Sequence, residues 1–187
     1  MSEGPLSRQP DKLDYLSPTQ FRFGINQLPK VEFFTTAANI PGINMGEAMF
    51  DTPFKNFGVM GDKLTYENLE ITFIVDEFLE NYKELHNWMT GIGFPEARTQ
   101  FGNLKTEGGQ VVPSQGKSAG QENISGMFSD ATLTITSAKN NPVIEARFQD
   151  VYPVALSALA YNQQESDITY LTANVTFTYK IYTLHTL

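Results

Sequence analysis

Few residues in this chain have side chains suited to acid-base or metal chemistry. Histidine occurs only at His86 and His185, and neither belongs to a spaced set of His, Cys or carboxylate residues of the kind that binds zinc. Asp76 and Glu77 are adjacent acids, but neighbouring residues on a helix point about 100° apart, and acids at a helix start complement its dipole. We therefore predict no catalytic residue, no metal ligand and no cofactor, and interpret the two acids as helix-capping residues.

Two further classes of site are disfavoured by sequence. Gly108 and Gly109 lie in a polar stretch with no preceding strand, no Walker lysine and no following helix, so they do not predict a phosphate-binding loop. The chain has no cysteine, which excludes disulfides, thiolate metal sites and cysteine nucleophiles. No coherent set of acid, base and nucleophile remains, and an enzyme is the least favoured class.

The charge balance also restricts the partners. The chain has 187 residues and a formal net charge of -8, with an isoelectric point near 4.7, whereas tight binding to phosphate backbones needs clustered Lys and Arg. If DNA is a partner, we expect it not to be held tightly. Residues 1–10, MSEGPLSRQP, lack the apolar core of a signal peptide, and the longest apolar stretch, residues 154–161, is too short to cross a bilayer, so we expect neither a signal peptide nor a membrane span.

The remaining pattern is mainly that of β-strands. Apolar and polar residues alternate with the period of two that is typical of a half-buried strand. We predict strands at 21–25, 31–37, 69–75, 131–136, 143–148 and 175–181. One helix is predicted from Asp76 or Glu77 to about Gly93, because apolar residues recur there at spacings of three and four. Residues 154–161 form a connection that could hold a helical turn.

Three segments fall outside this strand pattern. We predict that residues 1–18 are an extended arm, that residues 19–187 form one domain, and that 95–129 is a long polar insertion or mobile loop. The segment after Pro41 and Gly42 is punctuated by glycine and proline but carries many apolar residues for a loop. These are Met45, Met49, Phe50, Phe54, Phe57 and Met60. We predict that residues 42–66 mediate contacts between subunits or between stacked rings.

Two predicted strands have an apolar face and a second face rich in threonine. The polar members are Thr132, Thr134, Thr136, Asn174, Thr176 and Thr178. One interpretation is an ordinary solvated strand face. The other is the lining of a channel, because lysine and arginine are absent from these positions, with Lys180 as the nearest exception, and such a surface would not retain a passing polyanion.

The order of these elements resembles the tail tube proteins of contractile-tailed bacteriophages, a family related in fold to secretion-system tube proteins. Three motifs carry the resemblance, and their order and spacing matter more than any one of them. Residues 37–42 read AANIPG and lead into a long arm, residues 59–66 read VMGDKLTY and precede a strand and the helix, and residues 148–153 read FQDVYP. The resemblance covers most of the chain after Gln20.

The resemblance implies a two-sheet antiparallel sandwich or partial barrel with one flanking helix and a long hairpin arm. It also implies six-subunit rings in which the sheets join into one continuous β-barrel, and stacked rings that conduct viral DNA during ejection. The implied partners are other copies of the chain, a sheath protein outside, and a tape-measure protein followed by DNA inside. The implied location is the virion tail, with the host cytoplasm during assembly.

Three alternatives remain at this stage. The nearest is a tube protein of a bacterial secretion or contractile injection system, whose channel would carry proteins. A paralogue of the tube protein close to the baseplate is the second. The third is a monomeric β-sandwich that binds a small ligand.

Overall fold

The computed structural model describes residues 15–100, 127–164 and 169–187. Most of the predicted N-terminal arm and most of the predicted polar insertion, with Gly108 and Gly109, lie outside the described residues. The described strands and helices follow in chain order: β1 (Phe21–Ile25), α1 (Pro29–Phe34), β2 (Thr35–Ala38), β3 (Ile43–Phe50), β4 (Phe57–Tyr66), β5 (Leu69–Ile74), α2 (Glu80–Gly93), β6 (Ser129–Thr136), β7 (Pro142–Leu156), β8 (Thr172–Thr178) and β9 (Ile181–Thr186).

The main body is an antiparallel sandwich, which confirms the predicted fold class. Strands β1, β6, the first part of β7 and β9 form one layer, called sheet 1 here. Strands β2, β5, β8 and the last part of β7 form the other layer, called sheet 2. The two layers share one apolar core, because strands of both place alternate side chains in the same cluster.

Strand β7 passes from one sheet to the other. Its register against β6 shifts between Ser129, which lies opposite Val151, and Ala131, which lies opposite Phe148. Asp150 lies in this bulge with φ of 52°, a left-handed conformation that aspartate tolerates better than most residues. The backbone N–H of Asp150 donates to the Oδ1 atom of Asp130 at 3.3 Å. The bulge bends β7, so that residues 152–156 pair with β8 instead of β6.

The core consists of the apolar faces that the alternation predicts. The largest of its fully buried side chains are the aromatic rings of Phe23, Phe73, Phe148 and Phe177. Helix α2 adds Leu85 and Trp88 to the same cluster, and the Trp88 and Phe177 ring centroids lie 6.2 Å apart. Trp88 therefore contributes to packing, as its helical spacing indicated.

The prediction of a strand across residues 31–37 is wrong in its first half. Residues 29–34 form the short helix α1, with Pro29 in the first turn, where its fixed φ and missing N–H suit a helix. Val31 is completely buried, and the hydroxyl of Thr35 donates to the Val31 carbonyl at 2.7 Å. Burial of Val31 thus favours a helical turn although the local residue types favour a strand, and the strand begins only at Thr35.

Two predictions near the C-terminus also need correction. The predicted terminal strand is two strands, β8 and β9, because the chain leaves sheet 2 after Thr178 and pairs with β7 in sheet 1 from Ile181 onward. Strand β7 extends to Leu156, through residues that were predicted to lie in a connection. A period-two pattern shows which residues face the core, but it does not show where a strand changes partner.

The aromatic cluster beside this change of partner predicts a response to alkaline pH. Burial, followed by the nearby Tyr182, Tyr66 and Glu67, raises the pKa of Tyr179 from its ordinary value of 10.0 to about 12. Between these values the folded chain keeps the phenol proton and the unfolded chain releases it, so stability falls as pH rises. We expect the free energy of unfolding, measured by denaturant titration from pH 9 to 12, to fall less steeply in Tyr179→Phe than in the wild type.

Tyr170→Phe is the control for that measurement, because Tyr170 is exposed. Its slope against pH should equal that of the wild type. Equal slopes for Tyr179→Phe and wild type would contradict the assignment of the alkaline loss of stability to Tyr179.

Candidate channel and assembly surfaces

The segment between β2 and β5 is a two-stranded hairpin, which we call the arm (residues 43–66). Strands β3 and β4 pair only with each other, and an eight-residue strand such as β3 extends about 26 Å. The register places Met45 opposite Leu64 and Phe50 opposite Phe57. The arm is therefore an ordered hairpin with apolar cross-strand pairs, and it extends away from the sandwich core.

The apolar side chains of the arm are exposed along its length. Phe54 at the tip is 99% exposed and Met60 is 81% exposed. The other four predicted contact residues, Met45, Met49, Phe50 and Phe57, are also exposed, together with Ile43, Val59 and Leu64. A monomeric protein seldom presents so many contiguous apolar side chains unless they contact a partner.

Two glycines allow the arm its irregular pairing. The register shifts between Met45 and Glu47, where β4 has more residues than β3. A Cβ atom on Gly61 would overlap the backbone carbonyl of Gly46, so the two backbones approach more closely than side chains allow. The sequence showed these glycines as chain punctuation, whereas the structure shows that they maintain a bulge inside the arm.

The six predicted channel residues lie on two faces instead of one. Thr132, Thr134 and Thr136 alternate with core residues on β6, whereas Asn174, Thr176 and Thr178 alternate with core residues on β8. Because both strands bury their apolar faces in one core, the two polar sets point away from it on opposite sides of the sandwich. The prediction that all six share a face is therefore corrected, and at most one set can line a given channel.

Sheet 2 has an outer face without basic residues. Its strands read TTAA in β2, LEITFI in β5 and TANVTFT in β8, and residues 152–156 of β7 read YPVAL. Glu70 is the one charged residue among them, and it lies opposite Thr176 in the register. Thr72 lies opposite Asn174 on the same face. The outer face of sheet 2 thus carries one acidic residue and no basic residue.

Sheet 1 has an outer face that contains two arginines. Arg22 lies opposite Thr134, and Arg147 lies opposite Thr132. These threonines therefore have cationic neighbours, which the sequence analysis did not predict. Counting by two from the buried Phe23 and Phe148 puts each arginine on the outer face of its own strand, but only the pairing shows that both strands lie beside β6. Arg22 contacts Glu32 at 3.3 Å, and Arg147 donates to Glu145 from Nε at 2.8 Å and from Nη2 at 2.6 Å. These exposed pairs reduce the local positive charge without adding much stability.

The two histidines first considered for catalysis lie on different elements. His86 is exposed on α2, and His185 on β9 lies opposite Glu145 and contacts the Thr183 hydroxyl at 3.0 Å. Helix α2 begins at Glu80 with Leu79 at the N-cap position, later than predicted, and Asp76 contacts its first turn by accepting from the Asn81 N–H at Oδ1 at 3.1 Å. Within residues 15–100, 127–164 and 169–187, no helix is long and apolar enough to cross a membrane.

Comparison by sequence gives one family. The family model described as phage tail tube protein matches residues 12–185, which is nearly the whole chain and includes the arm and both sheets. No curated protein matches the chain significantly in sequence.

Comparison by structure gives chains of contractile assemblies. A chain of the anti-feeding prophage cap, described as the tube-terminating cap, superposes with a TM-score of 0.59 at 11% identity, covering 98% of this chain and 100% of that chain. A chain of the anti-feeding prophage baseplate gives 0.58 at 8% identity, covering 93% and 97%. A chain of the sheath-tube complex of the extracellular contractile injection system PVC gives 0.54 at 10% identity, covering 92% and 93%. At these identities the similarity is one of fold.

Proposed function

We propose, since this chain belongs to the phage tail tube protein family and is a structural subunit of a tail tube, that its rings conduct viral DNA during ejection. Six copies close into each ring, and the rings stack into the tube. The protein catalyses no reaction in this role. It is made in the host cytoplasm and resides in the virion tail, with a sheath protein outside the tube and a tape-measure protein, then DNA, inside.

The observation that carries this proposal is the four-stranded sheet 2, in which β2, β5, β8 and residues 152–156 of β7 contain no lysine or arginine. If six copies each contribute four strands, a barrel of about 24 strands at ~4.8 Å spacing and ~40° tilt has a backbone diameter of roughly 45 to 50 Å. Side chains narrow this width but leave room for a duplex. Closure into a barrel would also pair the free strand edges that an isolated sheet exposes.

Charge selects sheet 2 over sheet 1 as the channel wall. A passing duplex releases counterions wherever a cation contacts a phosphate, and every such contact must break before the genome moves on. Asn174, Thr176 and Thr178 on sheet 2 offer no cation, whereas Thr132 and Thr134 on sheet 1 lie beside Arg147 and Arg22. We therefore assign the channel lining to the β8 residues and the outer wall, towards the sheath, to the β6 residues.

The arm supplies the contacts between copies in this proposal. It begins and ends next to sheet 2, because β2 and β5 flank it and pair with each other. Burying its exposed apolar side chains against a neighbouring copy would contribute about 25 cal/mol per Å² of apolar surface removed from water. The six predicted arm residues, Met45, Met49, Phe50, Phe54, Phe57 and Met60, are the proposed contact set.

Electron microscopy of the purified full chain tests this function. We expect tubes of stacked six-fold rings with an open channel, and a reconstruction in which β8 side chains face the channel. A protein that stays monomeric at high concentration, or rings whose channel is lined by β6 residues, would contradict the proposal.

A further inference from the structure

The root of the arm is held by an aromatic cluster that joins it to the sandwich. Tyr66, the last residue of β4, packs edge-on against Tyr179 and Tyr182, with ring centroids 6.2 and 5.7 Å away. Tyr179 and Tyr182 in turn pack against Phe148, at 5.1 and 5.5 Å. Phe148 is fully buried, so the cluster connects the base of the exposed arm directly to the core.

Two tyrosine hydroxyls of this cluster bond to the backbone on both sides of the arm. The Tyr182 hydroxyl donates to the carbonyl of Pro41, just before β3, at 3.1 Å. The Tyr179 hydroxyl donates to the carbonyl of Glu67, just after β4, at 2.8 Å. The entering and leaving chains are also joined to each other, because the Glu67 N–H donates to the Gly42 carbonyl at 3.0 Å. Both ends of the arm are therefore bonded to side chains of one short segment of the sandwich.

Tyr179 and Tyr182 lie on either side of the point where the chain changes from sheet 2 to sheet 1. Tyr179 lies where the chain leaves β8 in sheet 2, and Tyr182 lies in β9 in sheet 1. The change of sheet brings both rings to the base of the arm. A single unbroken strand would point residues 179 and 182 to opposite faces, because they are an odd number of positions apart.

We infer that Tyr66, Tyr179 and Tyr182 form a clamp that fixes the direction in which the arm leaves the sandwich, and that assembly requires this direction. The inference rests on the proposed function of the arm as the contact between copies. A hairpin joined to a body only through its two chain ends can swing, and each additional orientation it populates reduces the fraction of molecules able to bind a neighbour. The clamp reduces that freedom before any neighbour arrives, so the entropy lost on assembly is smaller.

The test separates arm direction from tube growth. The chain has no cysteine, so Asp51→Cys near the arm tip and Lys83→Cys on α2 introduce a unique pair for spin labels. In the full chain, below the concentration at which tubes form, we expect a narrow distance distribution by double electron–electron resonance. The variant Tyr179→Phe with Tyr182→Phe should broaden it while the sandwich remains folded, because the rings still pack.

Tube growth is the second readout. With both hydroxyl bonds lost, we expect the critical concentration for assembly to rise by roughly tenfold, since a smaller fraction of the molecules then holds the arm in the direction that binds a neighbour. The matched control is Tyr82→Phe, which removes a similar bond from a tyrosine hydroxyl to the Ser157 carbonyl at 3.1 Å, at α2 and not at the arm. It should leave both the distance distribution and the critical concentration unchanged.

Each other outcome is decisive. An unchanged distance distribution in the double variant, or equal broadening in Tyr82→Phe, overturns the clamp. A broadened distribution with a wild-type critical concentration overturns the requirement for a fixed direction. If the wild-type chain forms no tubes, the proposed function fails, while the distance measurement still shows whether the tyrosines hold the arm.

Discussion

Removal of the outer arm, residues 47–60, is expected to yield a folded monomer that forms no tubes. Glu47 and Met60 face each other in the register, so the deletion joins Gly46 to Gly61 and leaves a four-residue loop between Met45 and Leu64. Short loops of this length are common in hairpins. The removed residues bury nothing in the sandwich core, so the Tm should stay close to that of the wild type.

The expected loss of assembly follows from the surface that the deletion removes. Met49, Phe50, Phe54, Phe57 and Met60 are all absent from the shortened chain, and with them most of the exposed apolar surface of the arm. Sedimentation and electron microscopy measure the loss directly. We expect the shortened chain to form no polymer at any concentration at which the wild type forms tubes.

A control with the same kind of change elsewhere is available. Phe33 and Phe78 are as exposed as most arm residues, at 81% and 78%, but Phe33 lies in α1 and Phe78 just before α2. The variant Phe33→Ser with Phe78→Ser should still polymerise. Normal tube growth by the shortened chain would rule out the arm as the contact between copies, and failure of the Phe33 and Phe78 variant would show that the effect is not specific to the arm.

Lysine at Asn174, Thr176 and Thr178 is expected to leave tubes intact but to make their channel retain DNA. The three substitutions add three positive charges per chain to the outer face of sheet 2, where Glu70 is the one charge now present. Each phosphate neutralised releases a counterion, so binding should fall steeply with added salt. We expect duplex DNA to bind assembled tubes, and genome release from particles carrying the variant to slow by roughly tenfold or more.

The matched control places lysine at Thr132, Thr134 and Thr136 on sheet 1. These changes add the same charge to an equivalent strand on the opposite face of the sandwich, where the proposal places the outer wall. Genome release should proceed at the wild-type rate. If the β6 lysines slow release and the β8 lysines do not, the assignment of the two faces is reversed. Asn174→Lys alone, at an exposed position, provides the measurement should the triple variant fail to assemble.

Several features of this protein were predictable from local sequence. Alternation at Leu133 and Ile135, and at Val175 and Phe177, predicted correctly which residues enter the core, because a strand turns successive side chains to opposite faces. The resemblance to tail tube proteins, read from three short motifs, is confirmed by the family match over residues 12–185. Those motifs correspond to the entry to the arm, its returning strand, and the bulge of β7.

The sequence by itself thus determined the mainly β class, the apolar arm and the inward face of each strand, all of which depend on residue type and local period. Only the tertiary structure decided that Thr132 and Thr176 point to opposite sides, that Arg22 and Arg147 lie among the first threonine set, and that Tyr179 and Tyr182 reach the base of the arm. The physical reason is pairing. Which strands share a sheet depends on the bulge at Asp150 and on the change of sheet after Thr178, and neither alters the local alternation from which a sequence is read.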